Sequence, residues 1–452
     1  MRTAGYGQTA WIVAATLVVA GASLLRVDTL GARPLWADER AVEAFVAQAE
    51  REGYFAAAGP AAAHGPQTEA DLSPLHTALV FASTRLFGLT PVALRLPSTV
   101  ASVAIVTLLL ALGATLFDRR VALLAAALAA ISPYQIEYAQ DARAYPLFVA
   151  LASAQLLAWF RFAATHRNGW LFAFTGCGVA SLYAHHLGLV NQLALAVLAL
   201  ATVAGDRLAT HPPSQHRAFG RHELYRLAFA FLAIGLLYLP QLPNLIGFLR
   251  SGVAEPLARL VPSLRFAHEL IGVWGGGRGA PAWLYEALLV AGVLAGTRAG
   301  RPAPALLWWI VCPILVFSVV PFSKFFDARY LMAALPAFLL LVAAGAVASV
   351  GALARALERL GAPRARAVGT ACAGLLALAL LWPAAQGYLD FRRLPLRCSE
   401  FFLQPRILDL AGGFCRRHVV LNTLLPEDRY LLRAAAPLPE GIAVAEPARG
   451  ER

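Results

Sequence analysis

Runs of fifteen to twenty-six residues with almost no charge recur along this chain, and a segment of that kind has few stable homes other than a lipid bilayer. A helix needs about 20 apolar residues to cross the hydrocarbon, and it satisfies its own backbone while doing so. Eleven runs meet the description: 11–25, 92–117, 121–136, 144–163, 170–188, 189–204, 224–240, 281–296, 304–320, 330–350 and 367–385. Composition agrees, since 59% of residues are hydrophobic and only 14% charged, which excludes an ordinary water-soluble domain. The sequence therefore predicts an all-α polytopic membrane protein.

Charge sets the topology. The net charge of +12 lies in short arginine clusters between apolar runs, not along one soluble face, so it argues against a nucleic-acid partner. Arg119-Arg120, Arg161 with Arg167, Arg207 through Arg226, Arg298 with Arg301, and Arg355 through Arg366 fall on one side, which the positive-inside rule makes cytoplasmic. The first run resembles a secretory signal, but with no A-x-A site ahead of a soluble domain a first transmembrane helix is simpler, its start in the cytoplasm. The segment Pro74 to Gly88 is 15 residues long and carries His76, Thr77, Ser83, Thr84 and Arg85, so it reads as an interfacial helix. Counting it as a span would put five basic clusters outside. The layout is a transmembrane domain over 1–385, with a first outer loop at 28–91 and a large outer loop at 241–280, followed by a small extracytoplasmic tail at 386–452. No repeat of fixed period is visible.

Polar groups at the outer ends of these runs need a reason to be there. Asp38 and Glu39 open the first outer loop; they are either a solvated loop start or a general base with a neighbour that orients it or binds a cation. In the loop around Glu137-Tyr138-Ala139-Gln140-Asp141-Ala142-Arg143-Ala144-Tyr145, Asp141 and Arg143 either pair with each other or serve chemistry. Arg95 either snorkels or meets an acid or a lipid phosphate. His185 and His186 sit at a tight turn as structural histidines or ligands. Lys324, the only lysine among 38 basic residues, and Arg329 offer cations that suit an outer-leaflet phosphate. Acids beside cations at one membrane face suit a reaction with a phosphate leaving group and a hydroxyl nucleophile. Cys398 and Cys415 are expected to pair if the tail faces an oxidising compartment. The glycine-rich stretch at 275–279 lacks the strand-to-helix context of a nucleotide cradle, and no nucleotide cofactor is expected.

The pieces Asp38-Glu39, Ser73-Pro74-Leu75, Arg95-Leu96-Pro97-Ser98, Ser132-Pro133 leading to Gln140-Asp141-Ala142-Arg143-Ala144-Tyr145, Tyr183-Ala184-His185-His186 and Arg329-Tyr330-Leu331 come in a telling order. Over roughly residues 10–350 the chain resembles the polyprenyl-phosphate-sugar-dependent glycosyltransferases of the GT-C fold, of the protein O-mannosyltransferase and aminoarabinose-transferase type. The resemblance implies an inverting transfer from a polyprenyl-phosphate-linked sugar donor to a hydroxyl-bearing envelope acceptor (lipid, glycan or protein). It places the enzyme among the lipids of a bacterial inner membrane, working at the outer face. It implies Asp38 as general base, with Glu39 and Asp141 supporting it, and leaves room for a divalent cation at Asp38 and Glu39. Arg95, Arg143, Lys324 and Arg329 would hold the phosphate, and Tyr145, His185, His186 and Tyr330 would contact substrate. A transporter or flippase for a lipid-linked or anionic substrate is the rival reading; it requires charges near the bilayer midplane instead of at one rim.

Overall fold

The computed structural model describes residues 2–57, 73–208, 219–251, 260, 262–276, 281–320, 328–362 and 364–393. Lys324, residues 277–279 of the glycine-rich stretch, and Cys398 and Cys415 lie outside them. The described helices are α1 Arg2–Val27, α2 Ala37–Glu52, α3 Tyr54–Ala57, α4 Pro74–Phe87, α5 Pro91–Leu116, α6 Arg119–Ile131, α7 Pro133–Ala139, α8 Tyr145–Thr165, α9 Asn168–Ala184 and α10 Gly188–Leu208. They continue with α11 Arg221–Tyr238, α12 Leu242–Ser251, α13 Leu264–Trp274, α14 Ala282–Arg298, α15 Ala303–Val319, α16 Leu335–Arg359 and α17 Ala365–Arg393.

Helix boundaries follow local chemistry. Thr90 accepts a hydrogen bond from the Ala93 amide at 3.2 Å and Pro91 fills the first helical position of α5, where a missing N–H costs nothing. Asp118 caps α6 by accepting from the Arg120 and Val121 amides at 2.7 and 3.0 Å. The span expected over 121–136 is broken: Pro133 cannot extend the preceding hydrogen-bond ladder, Ser132 caps a new helix through the Gln135 amide, and α6 and α7 meet at 59°.

Seven helices among the described residues are long and apolar enough to cross a membrane, or eight if the bent α6–α7 pair is one span. The expected eleven are not reached by this measure: α9, α14 and α15 have 17 residues each, the lower limit for a crossing, and of the three only α15 is also apolar enough to count as a short apolar helix. At 14 residues α4 is shorter still, and it turns His76, Thr77, Ser83 and Thr84 inward. The bundle is organised around α16, whose residues from Leu335 to Ala346 are all buried. Helices α14 and α16 touch backbone to backbone: a Cβ on Gly292 would collide with the Leu341 carbonyl and one on Gly345 with the Leu288 carbonyl. Such small-residue crossings are how helices pack where no hydrophobic effect drives them together. At the periphery, α1 and α17 bury only 17% and 22% of their apolar windows, against 83% for α16, so they face lipid.

Residues 28–36, 140–144 and 185–187 and the 3-10 turn Ala328–Ala334 all meet at the end of the bundle where α1 finishes. A second small core covers that end, with Val42, Phe45, Val46 and Ala49 of α2 and Val80 of α4 packed on Leu94 and Ala142.

Candidate active site

The floor of the site is a set of buried polar clamps. Arg26, at the end of α1, donates to the Ala129 and Ala130 carbonyls at 3.0 and 2.9 Å, to Ser102 Oγ at 2.7 Å and to the Ala22 carbonyl at 3.1 Å. It thereby caps the last turn of α6, where backbone carbonyls lack helical partners and a cation is favoured. Gln140 Nε2 donates to the Arg26 and Asp28 carbonyls, while its Oε1 accepts from Arg33 at 3.1 Å. Arg33 also donates to the Phe391 carbonyl at 2.6 Å, tying the loop after α1 to the end of α17.

Glu39 and Arg95 form the centre of this frame and are both buried. Arg95 Nε and Nη2 each reach a different Glu39 oxygen at 2.8 Å. The remaining Arg95 donors go to the carbonyls of Leu30 at 2.8 Å, Arg33 at 3.1 Å and Pro34 at 3.1 Å. All five N–H groups of this guanidinium are engaged inside the protein. Glu39 is equally occupied, accepting from the Ala142 amide at 2.9 Å and the Trp36 amide at 3.4 Å. Arg95, expected as a phosphate ligand, and Glu39, expected as a catalytic or metal-binding acid, here direct their hydrogen-bonding groups to each other and to the loop backbone, and so hold the loop in place.

Asp38 is the neighbour that points out. Its carboxylate is about a third exposed, and Oδ2 lies 3.1 Å from Arg143 and 3.8 Å from Arg329. Among the described residues Oδ1 makes no hydrogen bond. One residue of helix rotation, about 100°, separates the framework acid from the accessible one. Arg143 is held by its backbone: its amide donates to the Asp141 carbonyl at 2.8 Å, and its carbonyl accepts from Ser98 Oγ at 2.8 Å. Because that hydroxyl proton is engaged, Ser98 Oγ accepts from His76 Nε2 at 3.3 Å. Asp141 is buried and accepts from the Trp36 indole at 3.0 Å.

Aromatic rings wall the cation pair. Arg143 lies 5.9 Å from the Tyr145 ring centre and 6.0 Å from that of Trp36, and Arg329 lies 5.5 Å from Tyr145 and 5.9 Å from Tyr330. His185 packs 4.8 Å from Tyr145 and 4.2 Å from His186. The Leu187 amide donates to His185 Nδ1 at 3.1 Å, which puts the ring proton on Nε2. Burial, then the charges of its neighbours His186, Arg143 and Arg329, hold His185 well below the usual histidine range, and burial followed by Arg143 brings His186 down to about 3. Burial takes His76 to about 4. All three are neutral donors or acceptors near neutral pH, not cations.

The donor set does not fit a divalent cation. Glu39 is saturated, Asp38 faces two guanidinium groups, and among the described residues no three His, Cys, Asp or Glu side chains converge on one point. The positive charge facing Asp38 comes from arginine. Of the sequence-predicted residues, the structure brings together Asp38, Glu39, Asp141, Arg95, Arg143, Arg329, Tyr145, Tyr330, His185 and His186. Arg26, Gln140, Ser98 and His76 complete the frame, in roles that the sequence does not reveal.

The description of the family model matching residues 71–216 is dolichyl-phosphate-mannose-protein mannosyltransferase. No curated protein matches the sequence. Among solved structures, ArnT from Cupriavidus metallidurans in the apo state is similar at 16% identity and a TM-score of 0.57, over 89% of this chain and 81% of that one. The same protein bound to undecaprenyl phosphate is similar at 16% identity and a TM-score of 0.56, over 92% and 88%. This chain has the GT-C glycosyltransferase fold. The oligosaccharyltransferase of Archaeoglobus fulgidus in the apo form is similar at 13% identity and a TM-score of 0.55, over 90% of this chain and 59% of that one. The matched segment 71–216 includes Arg95, Asp141, Arg143 and the two histidines, while Asp38 and Arg329 lie outside it.

Proposed function

We propose that this chain is an inverting glycosyltransferase that moves a sugar from a polyprenyl-phosphate carrier to a hydroxyl acceptor at the outer face of a bacterial inner membrane. The observation that carries the reading is the Asp38 carboxylate, with one oxygen set between Arg143 and Arg329 and the other open at the rim of the bundle. Support comes from the fold shared with ArnT, whose similar structure was solved with undecaprenyl phosphate.

In the reaction, the acceptor oxygen bonds to the anomeric carbon as the carbon–phosphate-oxygen bond breaks, and the hydroxyl proton passes to Asp38 Oδ1. The polyprenyl monophosphate leaves with the electron pair of the broken bond. Arg143 and Arg329 stabilise the charge that develops on that phosphate, a role for which the guanidinium fork is well shaped. Attack from the face opposite the phosphate gives an inverted product. His185, with its proton on Nε2, adds a neutral donor, and Tyr145 and Tyr330 supply faces against which a sugar ring packs. Asp141 orients the Trp36 ring beside Arg143.

The test is to supply reconstituted chain with a polyprenyl-phosphate donor labelled in the sugar, together with envelope acceptors. The expected result is label on a new hydroxyl with the anomeric configuration inverted and free polyprenyl phosphate in equal amount. Retained configuration, or intact donor carried across the bilayer without cleavage, contradicts the reading; the second outcome is what a flippase gives.

A further inference from the structure

Away from the site, α1, α6 and α17 enclose an apolar groove of about 420 Å³, lined by residues that include Leu17, Gly21, Ala127, Ile131, Leu381 and Trp382. We propose that this groove holds an acyl chain of an anionic phospholipid from the leaflet on the site side, with the lipid phosphate at Arg392 and Arg393.

Three observations carry the proposal. First, every lining residue is apolar, and two of the three walls, α1 and α17, bury only 17% and 22% of their apolar windows, so the medium that meets the groove is hydrocarbon. A Cβ added at Gly21 would meet nothing within 4 Å, so the groove is open at that point. Second, the groove ends at a charged collar. Asp28, just beyond α1, accepts from the Tyr388 hydroxyl at 2.5 Å and from Arg392 Nε at 3.0 Å. That carboxylate is thus engaged, whereas the terminal nitrogens of Arg392 and the whole Arg393 guanidinium make no hydrogen bond or ion pair among the described residues. Both arginines are exposed. Asp390, the other acid in the turn, has one carboxylate oxygen buried.

Third, the spacing suits a lipid. Arg392 stands seven residues beyond Ala385, the last groove residue on α17, which is about 10 Å at the helical rise. The polar layer on each side of a bilayer's hydrocarbon is about 5–8 Å deep. A chain lying along Leu17 to Leu25 therefore brings its headgroup phosphate to the level of the two arginines. A neutral headgroup would leave those donors to water, and a helix from a second copy would bring no phosphate to the collar.

The experiment uses the full chain in phosphatidylcholine nanodiscs containing a trace of phosphatidylglycerol with a diazirine on its acyl chain. Crosslinks are expected on peptides of α1, α6 and α17, and unlabelled phosphatidylglycerol should compete at least about fivefold better than phosphatidylcholine. Replacing both arginines (R392Q with R393Q) removes the preference, about fivefold for each, while Gly21→Leu fills the groove and suppresses labelling there. Should Gly21→Leu fail to fold, the arginine pair, which lies on the surface, still decides. Labelling spread evenly over the lipid-facing surface, a preference that survives R392Q with R393Q, or crosslinks joining two copies through the groove overturns the proposal. None of these outcomes depends on the chain being a transferase.

Discussion

Glu39→Gln keeps the shape of the side chain at the centre of the frame and removes its charge. Both partners of the ion pair are essentially buried, at 0% exposure for Glu39 and 1% for Arg95. Breaking a buried pair by neutralising one member costs about 3–5 kcal/mol, because the other charge stays buried without compensation. The amide of Gln still offers one acceptor oxygen, so the loss should sit near the lower end, about 3 kcal/mol. Arg95→Met should cost more, since it also strips donors from the carbonyls of Leu30, Arg33 and Pro34; each buried carbonyl left unmet adds about 1 kcal/mol or more. By contrast Asp38→Asn touches a pair that is a third exposed on the acid side and should change stability by about 1 kcal/mol or less. Cooperative unfolding of the purified chain in detergent, followed beside sugar transfer per folded molecule, separates the two roles. Glu39→Gln is expected to melt early yet turn over within about tenfold of wild type once folded. If it melts like wild type and loses turnover as completely as Asp38→Asn, then Glu39 acts in the chemistry and the framework assignment is wrong.

Other expectations are simpler to check. His76, His185 and His186 are held neutral in the fold, with His76 near 4 and His186 near 3, whereas the unfolded chain takes up protons near the ordinary value of about 6.5. The unfolded state therefore binds more protons below about pH 6.5, so stability should fall on acidification from there toward pH 4, by about 1.4 kcal/mol per pH unit for each such histidine. His76→Phe should flatten that slope in melting curves taken across the range, and an unchanged slope would show that His76 does not contribute. Arg143→Gln should lower turnover by about 10²-fold with little loss of stability, as expected for removing one charge-stabilising group at a reacting centre; steady-state kinetics on melting-checked protein reads both. Chelation of divalent cations should leave turnover unchanged, and a loss restored by added Mg²⁺ or Mn²⁺ would mean that a cation is held in a way this donor set does not suggest.

Much of the bundle was legible because the bilayer imposes a length and a polarity that can be read window by window. The break between α6 and α7 carries a sequence signal, since Ser132-Pro133 is a cap followed by a proline at the first helical position, but an apolar window runs straight over it. Asp38 and Glu39 were legible as a pair but not as individuals, since only helix phase against Arg95, 56 residues away, decides which one turns inward. Arg95 itself stood at a helix end where snorkelling, lipid binding and ion pairing look alike. The framework roles of Arg26 and Gln140 are not legible in the sequence, because the groups they satisfy, backbone carbonyls of Ala129, Ala130 and Asp28, carry no side-chain signature at all. In the sequence His76 is only a polar residue of a short helix, and its link to Arg143 through Ser98 exists only after α4 has packed on α5.

Asp38 is the proton acceptor of the proposed reaction, and single-turnover transfer from a polyprenyl-phosphate-linked sugar by Asp38→Asn, at matched expression and melting temperature, tests that role directly. A drop of about 10²–10⁴-fold in the rate of sugar transfer, with donor binding retained, is the predicted result. Turnover equal to wild type would contradict it, because no other carboxylate among the described residues stands between the two arginines with an oxygen open to an incoming hydroxyl.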